Sequence, residues 1–410
     1  TAYYFGRNPA LNAVSNPLTR AENLVRNHIW GGTAGFPILK NRVFNFFSYE
    51  QWRQRDPYSD QRRMMTALER QGDFSQSRNI DGGLRTLYDP WTSRFEGTRA
   101  VRQPFAGNVI PMSRMDPSSL LFLRELWEPN GPGIDITVSQ NFATAFTWSL
   151  NYHNISDRTD FVLSDNLRGF FRYSRFRTYL KIPNWTPNQS RLYTDPNSGT
   201  MHSLNVSGDV IWTVNPTTVV NLRTNYTSLN DDFDAPESYA TLDAYREFFP
   251  QATDFYTRYL DIGAPFYYPG MSVDGGGGYG KGSWWFQHPQ ANFFAGKISK
   301  QLGAHYLKMG AEFRNHRTDA IVPNTFNFHF RADETAATWI SPNTRVSGDS
   351  WASFLLGAAN PGNSWARHRP FRKDTANYLG LFIQDDFKLS RNVTLNLGLR
   401  YEYESAIYDR

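Results

Sequence analysis

The stretch ANYLGLFIQDDFKLSRNVTLNLGLRYEYE, residues 376–404, decides how the chain is read. It is two long strands joined by a tight polar turn. In the second strand Val393, Leu395, Leu397, Leu399, Tyr401 and Tyr403 fall on one face, and Thr394, Asn396, Gly398, Arg400, Glu402 and Glu404 on the other. A period of two puts each set on one side of a sheet. In the first strand Leu379, Leu381, Ile383, Phe387 and Leu389 face one way, and Tyr378, Gln384, Asp386 and Lys388 the other. A helix would scatter these apolar positions around its circumference. Each strand has about a dozen residues, where a soluble strand has roughly five or six. A tilted strand crossing a bilayer needs about 9–11, and tyrosines ending an apolar stripe suit an interfacial girdle. The same hairpin also fits a large soluble sandwich or propeller. Repetition of the pattern, and the placement of long loops, separates the two readings.

Composition leans toward the membrane. The 410 residues include 31 Phe, 22 Tyr and 12 Trp, yet the mean hydropathy is −0.57. Aromatic-rich but hydrophilic is what a barrel with one apolar face per strand and polar interior and loops produces. No cysteine is present, which removes disulfides, thiolate metal sites and thiol catalysis. No apolar run is long enough for a transmembrane helix, but a closed barrel also satisfies its backbone in lipid. The net charge of +5 comes without a block of like charge. No basic stripe or nucleic-acid motif accompanies it, so no nucleic-acid partner is expected.

Along the chain the period of two recurs. Strands are expected at Thr1–Gly6, Leu24–Phe36, Arg42–Arg53, Phe142–Asn154, Leu167–Phe176, His202–Val214, Thr217–Ser228, Trp284–Leu302 and His305–Arg317, before the closing hairpin. A long insertion, residues 56–140, separates the third and fourth. Within it, Asp60 to Gln71 followed by Gly72 carries helix start and stop signals, and Asp116–Pro117 opens a second helix ending near Trp127. An insertion of this length is more often a functional loop than a linker. Polar loops also fill residues 181–200, 230–283 and 321–369. About eleven strands result, with long and short connections alternating strictly; the turn near Ser156–Asp165 is the longest of the short ones. Loops sorted by end in this way, with short periplasmic turns and long extracellular loops, mark an outer-membrane barrel. The fold class is all-β, a transmembrane antiparallel β-barrel whose long extracellular loops carry short helices.

Several stretches carry a family resemblance: YYFGRNPALNA at 3–13, HIWGGTAGFPILKNRVFNFFSYE at 28–50, GDFS at 72–75, YDPWT at 88–92, PFAGNVIPMSRMDP at 104–117, SFLLG at 353–357 and YLGLFIQDDFKLSRNVTLNLGLRYEYE at 378–404. In this order, spanning nearly the whole chain, they resemble the Oar-like branch of the TonB-dependent outer-membrane receptors. The resemblance implies a barrel of about 22 strands behind a plug, and import powered through TonB by the inner-membrane proton gradient. It aligns Thr1 just after the plug and Arg410 near the barrel's midpoint. The whole chain, 1–410, is then expected to be a partial barrel domain, without plug, TonB box or terminal strands. It should form an open half barrel with unpaired first and last strands. The implied partners are outer-membrane lipid and lipopolysaccharide, the TonB complex through the plug, and an unidentified solute such as a peptide, carbohydrate or metal chelate.

Catalytic and cofactor motifs are missing. The eight histidines show no HxH or HExxH spacing, and there is no GxSxG, Walker A or GxGxxG after a strand. GGGGYGKGS at 275–283 lacks the spacing of a phosphate loop and reads as an extracellular loop. Asp231, Asp232, Asp234 and Glu237 cluster oxygens that suit calcium, although a solvated acidic loop needs only the same residues. No enzymatic step and no cofactor are expected. Arg168, Arg172, Arg223, Lys308, Glu312, Arg314, Asp386, Arg400 and Glu402 fall on the polar faces. They could line a solute path or hold a plug, or simply fill a polar lumen. Trp91, Trp185, Trp284, Trp285 and Trp365 lie in loops, where they could grip a peptide or sugar or pack the loops together. The function expected is a transport receptor in the outer membrane of a Gram-negative bacterium. The alternatives are a surface-binding or adhesion protein anchored by the same barrel, and a soluble all-β carbohydrate-binding or hydrolytic protein. The last would need a paired-carboxylate cleft and a dry apolar core.

Overall fold

The structure is a computed structural model that describes residues 1–11, 25–190, 192, 198–234, 243, 246–247, 270–279, 285–321, 325–340, 342–344, 346–367 and 372–409. Its main sheet runs β1 (Ala2–Arg7), β2 (Arg26–Leu39), β3 (Val43–Arg62), β4 (Phe142–Ser164), β5 (Leu167–Lys181), β6 (Ser198–Asn215), β7 (Thr218–Asp234), β8 (Trp285–Leu302), β9 (His305–Ile321), β10 (Arg372–Lys388) and β11 (Thr394–Glu404). Each strand pairs antiparallel with the next in sequence, and Tyr408–Asp409 adds a short pairing to β10. Among the described residues β1 and β11 do not meet, so the barrel is open.

The register confirms the two faces. Cross-strand partners point the same way, so one apolar row runs Phe171, Gly208, Thr224, Phe294, Phe313, Leu379, Tyr403 from β5 to β11. The next row toward the short turns runs Gly169, Val210, Leu222, Gly296, Ala311, Leu381, Tyr401. Short turns at Lys40–Arg42, Asp165–Asn166, Pro216–Thr217 and Gly303–Ala304 all sit at one end. Gly303, at φ 58, supplies the left-handed backbone that a two-residue hairpin demands.

Several strands outrun their expected ends. β3 continues to Arg62, pairing with β4 down to Arg62–Phe142. The helix expected over Asp60–Gln71 is therefore corrected to strand through Arg62, with one 3-10 turn at Glu69–Gln71 before Gly72 (φ 86). Pairing with β4 wins over the local start and stop signals. β4 reaches Ser164, so the turn near Ser156 shrinks to Asp165–Asn166. β5 extends to Lys181 and β7 to Asp234, which places Asp231 and Asp232 on a strand rather than in an acidic loop. The second expected helix is present as α1 (Pro117–Glu125), capped by Asp116 accepting from Ser119 N.

The long connections at the other end pack on one another into a cap. Its core gathers Met64, Phe74, Leu87 and Ile110 from the β3–β4 connection, Trp185 and Leu192 from β5–β6, Met271 and Tyr279 from β7–β8, and Phe330, Trp351 and Leu355 from β9–β10. The family-like motifs GDFS, YDPWT, PFAGNVIPMSRMDP and SFLLG all lie in it. Trp351, on α2 (Ser350–Leu355), is wholly buried, and its Nε1 donates to the Arg63 carbonyl oxygen at 2.9 Å. The buried apolar side chains of the described residues belong to this cap, counting Phe142 at its boundary with β4. The long strands show the opposite: Leu399 is 73% exposed and Leu397 59%.

Trp351→Ala should open a void in the cap core costing roughly 3–5 kcal/mol. In the full-length protein this should appear as rapid trypsin cleavage within residues 63–141, with heat-modifiable barrel migration retained. A cap that stays protease-resistant would show that these loops do not share one core.

Candidate functional site

Two features offer function: the polar face of the sheet and the cap above it. On the polar face charges come in pairs. Arg223 Nε lies 2.7 Å from Asp209 Oδ2, whose other oxygen accepts from Asn221 at 2.9 Å. Lys308 Nζ lies 2.9 Å from Asp386. Arg314 pairs with Glu312, and its guanidinium stands 5.0 Å over the Tyr378 ring. Arg400 lies 2.5 Å from Glu402, and the Tyr378 hydroxyl, 2.9 Å from each, closes that network. Arg158, unremarked in the sequence, grips Asp160 with two bonds of 2.9 and 2.7 Å and stacks over Phe170. Its signal was present in the alternation, Arg158 and Asp160 being two residues apart on one face.

Seven of the nine charged candidates are therefore tied in ion pairs on one face. Arg168 and Arg172 are exposed and make no ion pair among the described residues. Arg172 stands directly opposite Arg158 in the register, and Arg168 opposite Ile211. A cleft of about 250 Å³ on this face is lined by Asn221, Arg223, Phe293, Lys297, Glu312 and Phe382.

The cap is held by buried polar groups as well as by its core. Arg63 lies 2.6 Å from Glu69 and 3.2 Å from Asp349, and Arg85 approaches the same Asp349 oxygen at 3.8 Å. Burial works against the Arg63 charge, but Asp349 and Glu69 outweigh it and raise its pKa. Asp349 also caps α2, accepting from Trp351 N. Asn141 pairs with the Met64 backbone as another strand would, Oδ1 accepting at 2.7 Å and Nδ2 donating at 2.8 Å. Asn108 similarly ties Leu87, Phe74 and Arg85. Where β3 enters the cap, Arg62 sits among the rings of Trp185, Tyr279 and Trp127 at 4.9, 5.6 and 5.8 Å. Burial raises the Tyr279 pKa, so its hydroxyl stays protonated and donates to the Gly276 carbonyl oxygen.

The loop tryptophans divide. Trp185 is a core residue of the cap, 5.1 Å from Trp127. Trp91 is 60% exposed with Arg114 over its ring at 5.4 Å. Trp365 is half-buried in a small cap sheet, paired with Asn327. Trp285 opens β8, and Trp284 lies outside the described residues. Of the acidic group, Asp232 bonds His288 at 2.6 Å, and Glu237 lies outside the described residues. Of GGGGYGKGS, residues 275–279 form a turn and a short strand of the cap, and 280–283 lie outside the described residues. Among the described residues no group of three or more His, Asp or Glu is placed to hold a metal ion.

Comparison with known proteins adds the following. A family model described as outer membrane beta barrel domain matches residues 1–410. Similar solved structures include the outer membrane transporter YddB from Escherichia coli, at 10% identity and a TM-score of 0.44, covering 93% of this chain and 34% of that one. A single-residue mutant of the ferric enterobactin receptor PfeA from Pseudomonas aeruginosa is similar at 11% identity and a TM-score of 0.37, covering 98% of this chain and 39% of that one. The chain thus spans little more than a third of the length of these structures. No curated protein matches the sequence.

Asp349→Ala should remove one of the two carboxylates that Arg63 meets in a buried site, together with the cap of α2, and cost about 3–5 kcal/mol. Arg314→Ala, on the exposed polar face, should change stability by less than about 1 kcal/mol. Urea titration of cap proteolysis in the full-length protein checks both. Equal effects would contradict the division into buried and solvated pairs.

Proposed function

The chain belongs to the outer membrane beta barrel domain family, and on that premise we propose that it is part of a TonB-dependent transport receptor of the Oar-like branch. The protein resides in the outer membrane of Gram-negative bacteria. In this reading a solute, a peptide, carbohydrate or metal chelate, binds at the cap and passes along the polar face. Energy arrives through TonB, acting on a plug contributed from outside this chain. Lipopolysaccharide and outer-membrane lipid cover the apolar face. Strands beyond this half complete a barrel of about 22 strands. The quoted motifs support the branch.

One observation carries the reading. The described parts of the long connections, all at a single end of the sheet, share a packed core, so they present a shaped surface at the same end as a face of charged side chains. A binding surface rigid at its base and placed over a polar path is what capture followed by passage requires. Arg168 and Arg172 are the candidates with charge to offer a passing anionic group, the other seven being engaged.

Uptake tests this. Cells expressing the full-length protein should accumulate at least one of a labelled peptide, a labelled oligosaccharide and a ferric chelate, and a proton uncoupler should abolish accumulation. Arg168→Ala with Arg172→Ala should slow uptake of an anionic solute roughly tenfold. Surface-displayed protein that binds these probes but accumulates none of them, uncoupled or not, would contradict transport.

A further inference from the structure

The outward, apolar face of the sheet carries two features that neither a solute path nor a generic lipid contact explains. The first is a pair of arginines. On β5 the outward face reads Leu167, Gly169, Phe171, Tyr173 and then Arg175 and Arg177 toward the cap. The arginines thus stand just where the apolar band ends, the level of the headgroups in a bilayer. Neither makes an ion pair among the described residues. The outward carboxylates nearest in the register have other partners: Asp157 on β4 accepts from Asn45 at 2.9 Å, and Asp232 on β7 bonds His288 at 2.6 Å. Arg177 faces His202 across the β5–β6 ladder. Arg177 Nε and His202 Nε2 are both shut from solvent and lack a hydrogen-bond partner.

The second feature is a cavity of about 710 Å³ opening on the same face. Phe171, Leu222, Phe294 and Phe313 wall it, and Gly208, Thr224, Gly296 and Ala311 floor it. The glycines are not imposed by the sheet. A Cβ at Gly208 would come no nearer than 3.7 Å to any atom, and one at Gly296 no nearer than 3.4 Å. Gly169 differs, because a Cβ there would strike the Asp209 carbonyl oxygen at 2.3 Å. The hollow therefore exists without a packing reason. Arg175 is opposite Leu204 and Arg177 opposite His202, four and six residues before Gly208 on β6, which sets them roughly 13 Å and roughly 20 Å from the cavity along the strand.

We propose that this face holds one anionic membrane lipid, its phosphate on Arg175 and Arg177 and one acyl chain in the cavity. Guanidinium forks suit phosphate oxygens, and Arg175 and Arg177 are both partly exposed with no carboxylate paired to them among the described residues. The inference rests on residence in the outer membrane and not on transport, so a failed uptake experiment leaves it standing.

The test uses the full-length protein, taken from the outer membrane in mild detergent, delipidated and examined by native mass spectrometry. The probes are dilauroyl phosphatidic acid, dilauroylglycerol and inorganic phosphate. One phosphatidic acid per chain should be retained, dilauroylglycerol should not, and inorganic phosphate should not displace it. Arg175→Ala with Arg177→Ala should weaken retention roughly thirtyfold, about two basic contacts at a membrane surface. Gly208→Leu with Gly296→Leu, filling the cavity, should also release the lipid while heat-modifiable migration persists. Displacement by inorganic phosphate would mean a free-anion site and would overturn the proposal. So would equal retention of dilauroylglycerol, or variants that hold phosphatidic acid as the unaltered protein does. The comparison of the three probes needs no variant, so it decides even if a variant misfolds.

Discussion

A single layer of β-sheet with one apolar face and no second layer against it cannot be stable in water. Domains ordinarily solve this by packing a sheet on helices or on another sheet. Here, among the described residues, no second layer packs over the rows from Phe171 to Tyr403 and from Gly169 to Tyr401. Residues such as Leu399 and Phe294 stay exposed while the cap buries Trp351 and Phe74 completely. Lipid is the layer that is missing. Consecutive antiparallel pairing satisfies the backbone of every interior strand, the condition for spanning hydrocarbon.

The cap obeys the opposite rule. It sits beyond the bilayer and folds as a water-soluble domain does, with an apolar core and buried polar side chains such as Asp349, Asn108 and Asn141 given explicit partners. The two halves meet where β3 and β4 rise out of the apolar band and end at Arg62 and Phe142. Arg62 is held among three aromatic rings and Phe142 is fully buried. The same strand thus serves lipid at one end and a packed core at the other. In the proposed reading, a solute-binding surface built this way inherits rigidity from the sheet, whereas isolated loops would have to be ordered on binding.

The sheet was legible in the sequence because lipid demands strict alternation. Eleven strands, their order and the sorting of turns and loops by end follow from positions such as Leu395, Leu397 and Leu399. Strand ends toward the cap read short where lipid stops. Beyond Arg53, Phe176 and Ser228 polar residues predominate, yet ladder pairing continues to Arg62, Lys181 and Asp234. Hydrophobicity reports the solvent and not the hydrogen bonds. The cap was largely illegible. Trp185, Trp351 and Met64 sit in stretches without a period, and their shared core depends on contacts between connections far apart in sequence. The polar-face charges were visible as a set, but their pairing, and the two arginines left over, needed the register.

The absence of cysteine from the chain permits a direct test of the central claim, that the apolar face meets lipid and the cap meets the outside. Single cysteines at Ile80 in the cap, Leu399 on the apolar face and Arg391 in a short turn would be probed on intact cells with a membrane-impermeant maleimide. Ile80→Cys should label at once. Arg391→Cys should label only after the outer membrane is permeabilised. Leu399→Cys should resist labelling in both states, although it is 73% exposed in the protein alone. Rapid labelling of Leu399→Cys by the aqueous reagent would mean that water, not lipid, covers that face, and the account would fail.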